Sequence, residues 1–231
     1  KNWNLRKVVL AARRITNLAK SNKVKSFTVA AESLTASGVS TERLAQTLAE
    51  NMLLAEYVFN QYKKDKGEQF TVSQVVLAVN KMAGKSIAAG VKIGEVVGAQ
   101  VNFARDLGNT PGGEMTPTLL AKKAQELARA SGFKFQVLSK AQMAKLGMGA
   151  ILGVAKGSSE EPKFIIMEYY GAKKSQAPLI FVGKGVTFDT GGLNLKPEDY
   201  MLDMWMDMCG GAAVISALGA IAKLKLPVNV I

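Results

Sequence analysis

Amphipathic stretches with helical spacing alternate along this chain with short β-rich apolar runs, and that alternation narrows its possible folds more than any other feature. From Leu5 to Lys20, the residues Val8, Ala11, Ala12, Ile15 and Leu18 fall on one helical stripe. The run from Lys23 to Ala31, with Phe27, Thr28 and Val29, then reads as a strand. Ser40-Thr41-Glu42 opens a second helix, whose apolar face carries Leu44, Leu48, Met52, Ala55 and Phe59 toward the charged stop Lys63-Lys64-Asp65-Lys66-Gly67. A strand over 70–79 and a long helix over 86–107 follow. Asn109-Thr110-Pro111-Gly112-Gly113 is a loop, and Thr116-Pro117 starts a helix that runs to about Ser131. Beyond it, strands over 133–138, 164–170, 179–183 and 228–231 alternate with helices near 140–146 and 210–223. The Gly149, Gly153, Gly157 series reads as a loop before a strand. The pattern predicts an α/β protein with helices on the faces of its sheet and a boundary near residue 110, separating a first domain over 1–110 from a second over 111–231. The 22 glycines against 6 prolines suit many tight strand-to-helix turns. Because the chain begins inside a helical pattern and stops at Ile231 inside an apolar one, the expectation is a fragment of a longer protein.

The absence of histidine excludes more chemistry than any other count. Without imidazole there is no Ser-His or Cys-His pair and no histidine-ligated zinc. Catalysis here must rest on carboxylates, lysines, hydroxyls or metals held by oxygen and amine ligands. Cys209 is the single cysteine, so an internal disulfide is impossible; it reads as a small buried hydrophobe. The basic start Lys1-Asn2-Trp3-Asn4-Leu5-Arg6-Lys7 lacks a signal-like cleavage site. No run approaches the roughly 20 uninterrupted apolar residues of a membrane span, so a soluble, cytoplasmic protein with no membrane partner is expected. The formal charge of +12 raises nucleic acid as a partner. That partner is possible but not favoured, because the pairs Lys63-Lys64, Lys122-Lys123 and Lys173-Lys174 are scattered and lack interleaved aromatics that could stack bases.

The segment most able to carry chemistry runs from Leu179 to Val214, LIFVGKGVTFDTGGLNLKPEDYMLDMWMDMCGGAAV. An apolar strand delivers Lys184 at its end, where α/β folds commonly place active groups, and Asp189, Lys196, Asp203 and Asp207 follow. A phosphate-binding loop fails on spacing, since that motif needs a glycine where Pro178 stands and a serine or threonine where Gly185 stands. Gly183-Lys184-Gly185, Phe188-Asp189-Thr190-Gly191-Gly192, Leu195-Lys196-Pro197, Met206-Asp207-Met208 and Gly211-Ala212-Ala213 together resemble the leucyl (cytosol) aminopeptidase family. Ala104-Arg105-Asp106-Leu107-Gly108-Asn109-Thr110-Pro111 and Gly153-Val154-Ala155-Lys156-Gly157-Ser158 agree with it, and Leu54-Ala55-Glu56-Tyr57-Val58-Phe59 does so more weakly.

The resemblance implies a partial amino-terminal α/β domain, followed by part of an α/β catalytic domain with a central mixed sheet flanked by helices. It also implies two divalent metal ions, zinc or manganese first and magnesium or cobalt next, and hydrolysis of an amino-terminal residue, leucine-like by preference, from peptide substrates. Lys184 would bind metal through a neutral amine, which requires displacing a proton from a group whose free pKa is about 10.4. Asp189 would bridge the metals, and Asp207 would bind the same ion as Lys184. Lys196 would stay cationic and stabilise the oxyanion that develops on the peptide carbonyl. Met204 would line the pocket for the substrate's first side chain, although Met201, Met204, Met206 and Met208 also suit core filling. Asp203 and Glu198 match no family ligand. The family's remaining ligands, an aspartate and a glutamate followed by an arginine, lie downstream of this stretch, so the chain alone is expected to be inactive. A homohexamer is implied as well. Two other functions stay open at this point: a DNA-binding regulator on the same fold, and an inactive fragment that acts only through assembly.

Overall fold

In the computed structural model the chain packs as two compact units, Lys1–Asn102 and Phe103–Ile231. The structure describes residues 3–67 and 69–231, so Lys1 and Asn2 of the basic start lie outside the described residues.

In the first unit, helix α1 (Leu5–Ser21) starts at Asn4, whose side chain accepts from the Lys7 N–H. That bond satisfies one of the donors a helix start leaves unpaired. Strand β1 (Ser26–Ala30) leads through a short 3-10 turn to α2 (Thr41–Glu56), capped by Ser40. Strand β2 (Gln74–Ala78) pairs with β1 in parallel, Ser26 opposite Gln74 and Ala30 opposite Ala78. Helix α3 (Gly84–Asn109) follows. Val8, Ala12, Val29, Leu44, Leu48, Met52 and Ile87 form the core of this unit. Glycine lets α3 lie close on α2: a Cβ at Gly90 would collide with the Glu42 carbonyl, and one at Gly94 would stand 2.5 Å from the Gln46 carbonyl oxygen.

Two expectations for these helices are corrected. Leu18 is 64% exposed, and the inward place is taken by Thr16, 1% exposed, whose hydroxyl donates to the Ala12 carbonyl at 3.0 Å. A threonine satisfied within its own helix can turn inward, which rotates the buried stripe away from Leu18. Phe59 does not continue the face of α2, because the helix ends at Glu56 and Tyr57 is extended. There the Lys20 ammonium donates to the carbonyls of Ala55 at 3.1 Å and Glu56 at 3.4 Å, satisfying acceptors that another helical turn would otherwise have used.

The second unit opens with α4 (Pro117–Ser131), which has Thr116 as its cap, proline in its first turn, and Gly132 at φ 75° as its left-handed stop. Strand β3 (Lys134–Leu138) feeds α5 (Lys140–Lys145), whose start is a reciprocal capping box between Ser139 and Gln142. Residues read as a loop around Gly149 and Gly153 instead form helix α6 (Gly149–Val154), continued by a 3-10 turn through Gly157. Glycines four apart share one helix face, and Ala150, Ile151 and Leu152 between them favour the helix. Strand β4 (Phe164–Tyr170) lies antiparallel to β3 on one side and to β5 (Asn229–Val230) on the other, giving the order β3-β4-β5.

Between β4 and β5 in sequence come a long loop, the single turn α7 (Glu198–Met201), a 3-10 turn over Met204–Met206, and α8 (Cys209–Lys223). Leu107, Met115, Leu120, Met167, Met208, Ile215, Leu218 and Val230 make the core. The expected strand over 179–183 is reduced to a single parallel bridge between Leu179 and Val230, supported by the Phe181 N–H donating to Ile231 O at 2.8 Å. This parallel contact beside antiparallel strands makes the sheet mixed. The apolar stretch from Glu198 to Lys223 is broken by turns, and α8 alone, at 15 residues, is about 22 Å long. It buries Ala212, Ile215, Leu218 and Ala222 in the core.

Candidate active site

The parallel extended segment carries Lys184 past the sheet to the start of α8. Gly183 has no room for a side chain, since a Cβ would stand 2.5 Å from the Gly210 carbonyl oxygen and 2.7 Å from the Gly211 Cα. The Gly211 N–H donates to the Lys184 carbonyl at 2.6 Å, so a main-chain donor in the first turn of α8 fixes the lysine's backbone. The loop after it folds on itself. Gly191 at φ 88° and Gly192 at φ 75° adopt the left-handed region, the Gly191 N–H donates to Asp189 Oδ1 at 2.9 Å, and the Lys196 N–H donates to the Thr190 carbonyl at 2.9 Å. The Met204 carbonyl accepts from both the Asp189 and Asp207 N–H groups at 3.4 Å, tying the loop to the turn before α8.

These bonds bring the five residues singled out in the sequence into two groups. Lys184 Nζ lies 2.8 Å from Asp207 Oδ2. Lys196 Nζ lies 2.9 Å from Asp189 Oδ2 and 2.9 Å from the Met204 sulfur. Met204 thus touches the lysine ammonium, whereas Met208, fully buried, fills the core. Asp203 and Glu198 are exposed.

The two pairs sense each other. The Asp207 carboxylate holds the Lys184 amine above its ordinary pKa, and the charge of Asp189 adds to this. The Lys196 ammonium and the Gly191 N–H hold Asp189 below the usual carboxylate range, with a smaller pull from Lys184. Cys209 is corrected from buried hydrophobe to exposed first residue of α8. Partial burial pushes its thiol up, and the Asp207 charge beside it does the same.

Asp207 Oδ2 tests whether the site suits a cation. It is buried, and although Lys184 stands within ion-pair distance, the approach lacks the direction of a hydrogen bond. A buried carboxylate oxygen held this way suits a cation that binds without directional demands, and one amine with two carboxylates is a hard donor set for a divalent ion. It is a partial set. Among the described residues no three histidine, cysteine, aspartate or glutamate side chains converge.

Residue-by-residue reading missed the supports around the site. The Trp205 indole N–H donates to the Gly108 carbonyl at 3.1 Å, and a Cβ on Gly112 would stand 2.5 Å from the Phe188 ring. Gly112 lay in the loop read from the sequence and Gly108 in a stretch that agreed with the family resemblance, but their tertiary partners 76 or more residues away were not visible.

Comparison with known proteins bears on the same stretch. The cytosol aminopeptidase family's catalytic-domain model matches residues 102–231, and its N-terminal-domain model matches residues 1–66. A probable cytosol aminopeptidase of Bdellovibrio bacteriovorus is 48% identical over 189 residues, covering 81% of this chain and 37% of that protein. One from Saccharophagus degradans is 42% identical over 226 residues, covering 95% of this chain and 45% of that protein. A solved structure of the bottromycin maturation enzyme BotP in complex with Mn aligns at TM-score 0.82 and 30% identity, over 98% of this chain and 46% of that one. The chain belongs to the cytosol aminopeptidase family. It spans less than half the length of these relatives.

Proposed function

We propose that a protein containing this chain, together with the rest of the family's catalytic domain, is a metal-dependent aminopeptidase that removes leucine-like residues from the amino terminus of peptides. The observation that carries this reading is the meeting of Lys184 with Asp207 and of Lys196 with Asp189, at 2.8 and 2.9 Å, on one glycine-shaped loop. Family membership favours it over a nucleic-acid-binding role. Lys184, Asp189 and Asp207 are the residues that would hold two divalent ions, and the Mn in the BotP structure supports manganese beside zinc. Bound there, the ions would supply Lewis acidity and an activated water.

The chain's own residues have distinct tasks. Lys184 would hold an ion through its neutral amine, whose proton Asp207 stabilises, so ion and proton would compete there. Lys196, beside Asp189, is the side chain that would face the substrate carbonyl, where negative charge develops. Met204, beside the Lys196 ammonium, presents a flexible apolar wall to the first side chain of the substrate. Three protein ligands are few for two ions, so the 231-residue chain by itself binds them weakly and is inactive. The cytoplasm is the compartment that suits this reading, and assembly into a homohexamer belongs to it, with subunit mass in solution as its check.

Lys196→Ala in the full-length protein is the test. Turnover of leucine amide should fall by about a hundredfold or more while metal content stays near that of the unaltered protein. Undiminished turnover would remove Lys196 from the mechanism.

A further inference from the structure

The amino-terminal unit holds a cavity of about 450 Å³, bounded by the end of α2, strand β2 and the first turns of α3. Its walls include Met52, Leu53, Val75, Ile87 and Val91, all apolar. Glu56, the last residue of α2, also lines it. Both Glu56 carboxylate oxygens are buried and have no hydrogen-bond partner among the described residues. The nearby Lys20 ammonium is directed to the main-chain carbonyls of Ala55 and Glu56. Among the described residues that line it there is no lysine or arginine, and Glu95 is a second carboxylate in its wall.

A carboxylate taken out of water without a donor is costly, and such groups usually have a partner. Here the protein leaves room for one. A ligand carrying an ammonium would give Glu56 its missing donors, and the aliphatic wall sets what the rest of that ligand must be. A second carboxylate in the wall, with no lysine or arginine among the described lining residues and the Lys20 ammonium held on main-chain carbonyls, disfavours ligands that carry a negative charge, free amino acids included.

We propose that this cavity binds a small aliphatic amine, with its ammonium on Glu56 and its hydrocarbon body against Met52, Val75, Ile87 and Val91. The site lies within the amino-terminal unit and does not depend on the peptidase reading.

Isoamylamine, leucine and isovalerate share one branched carbon body and differ in charge, so they separate the contributions. Titrated into the full-length protein and followed by methyl NMR, isoamylamine should shift the Met52, Val75 and Ile87 resonances saturably. Leucine and isovalerate should bind at least about tenfold more weakly, and Glu56→Gln should weaken isoamylamine by a similar factor. Glu56→Gln, nearly isosteric, should melt no lower than the unaltered protein, because it removes no bond within the chain. Isovalerate binding as well as isoamylamine, the absence of a saturable shift, or amine binding unchanged in Glu56→Gln would each overturn the proposal. A lower melting temperature for Glu56→Gln would do so too, by revealing a partner for the carboxylate inside the protein.

Discussion

The carboxylates of the glycine-rich loop and the carboxylate at the end of α2 meet opposite fates. Asp189 and Asp207 each have a lysine ammonium within 2.9 Å, whereas both oxygens of Glu56 are buried without a donor among the described residues. The difference does not come from residue type or from distance to a basic residue in sequence. Lys20, close to Glu56 in space, is used up by two carbonyls that close α2. Lys184 and Lys196 instead direct their ammonium groups to Asp207 and Asp189. At the end of α2, main-chain carbonyls thus take the ammonium that stands closest to the Glu56 backbone.

Substitutions can break that contrast, and the largest effect should fall on turnover. Asp189→Asn in the full-length protein leaves Lys196 without its carboxylate, and hydrolysis of leucine amide should drop by about a hundredfold or more in steady-state assays. Near-normal rates would mean that the pair is a surface contact with no part in the chemistry. Gly94→Leu comes next. With the Gln46 carbonyl 2.5 Å from any Cβ there, unfolding in urea should show a loss of about 1–3 kcal/mol or more, and an unchanged midpoint would contradict the close crossing of α3 on α2.

A smaller effect is expected from Lys184→Met. It removes the cation beside the buried Asp207 Oδ2, so the melting temperature should fall, though by less than for Gly94→Leu because the lysine side chain is 58% exposed. Glu56→Gln closes the series with no loss of stability, since its carboxylate has nothing to lose. If the Lys184 and Glu56 variants behaved alike in calorimetry, the distinction between paired and unpaired carboxylates would be wrong.

Much of this was readable from local sequence. Asn4, Ser40, Thr116 and Ser139 start helices because each places a short acceptor three residues before an N–H that needs one, and Gly132 ends α4 because only a left-handed residue fits there. The span of β4 over 164–170 matched its expected limits as well. Phe59 was misplaced because α2 ends at Glu56, Cys209 because residue type alone suggested burial, and Leu18 because of periodicity. Periodicity gives the spacing of a buried face, but the direction of that face is set by the element that lands on it.

The sequence by itself determined the family, the alternation of helix and strand, and the order of Lys184, Asp189, Lys196, Met204 and Asp207 along one loop, because motif spacing and capping act over a few residues. Only the tertiary structure decided which lysine faces which aspartate, that Gly183 must lie on Gly210, and that Glu56 opens into a cavity without a hydrogen bond to its carboxylate among the described residues. Those outcomes depend on groups brought together from distant parts of the chain, where packing and the satisfaction of main-chain hydrogen bonds settle what each side chain meets.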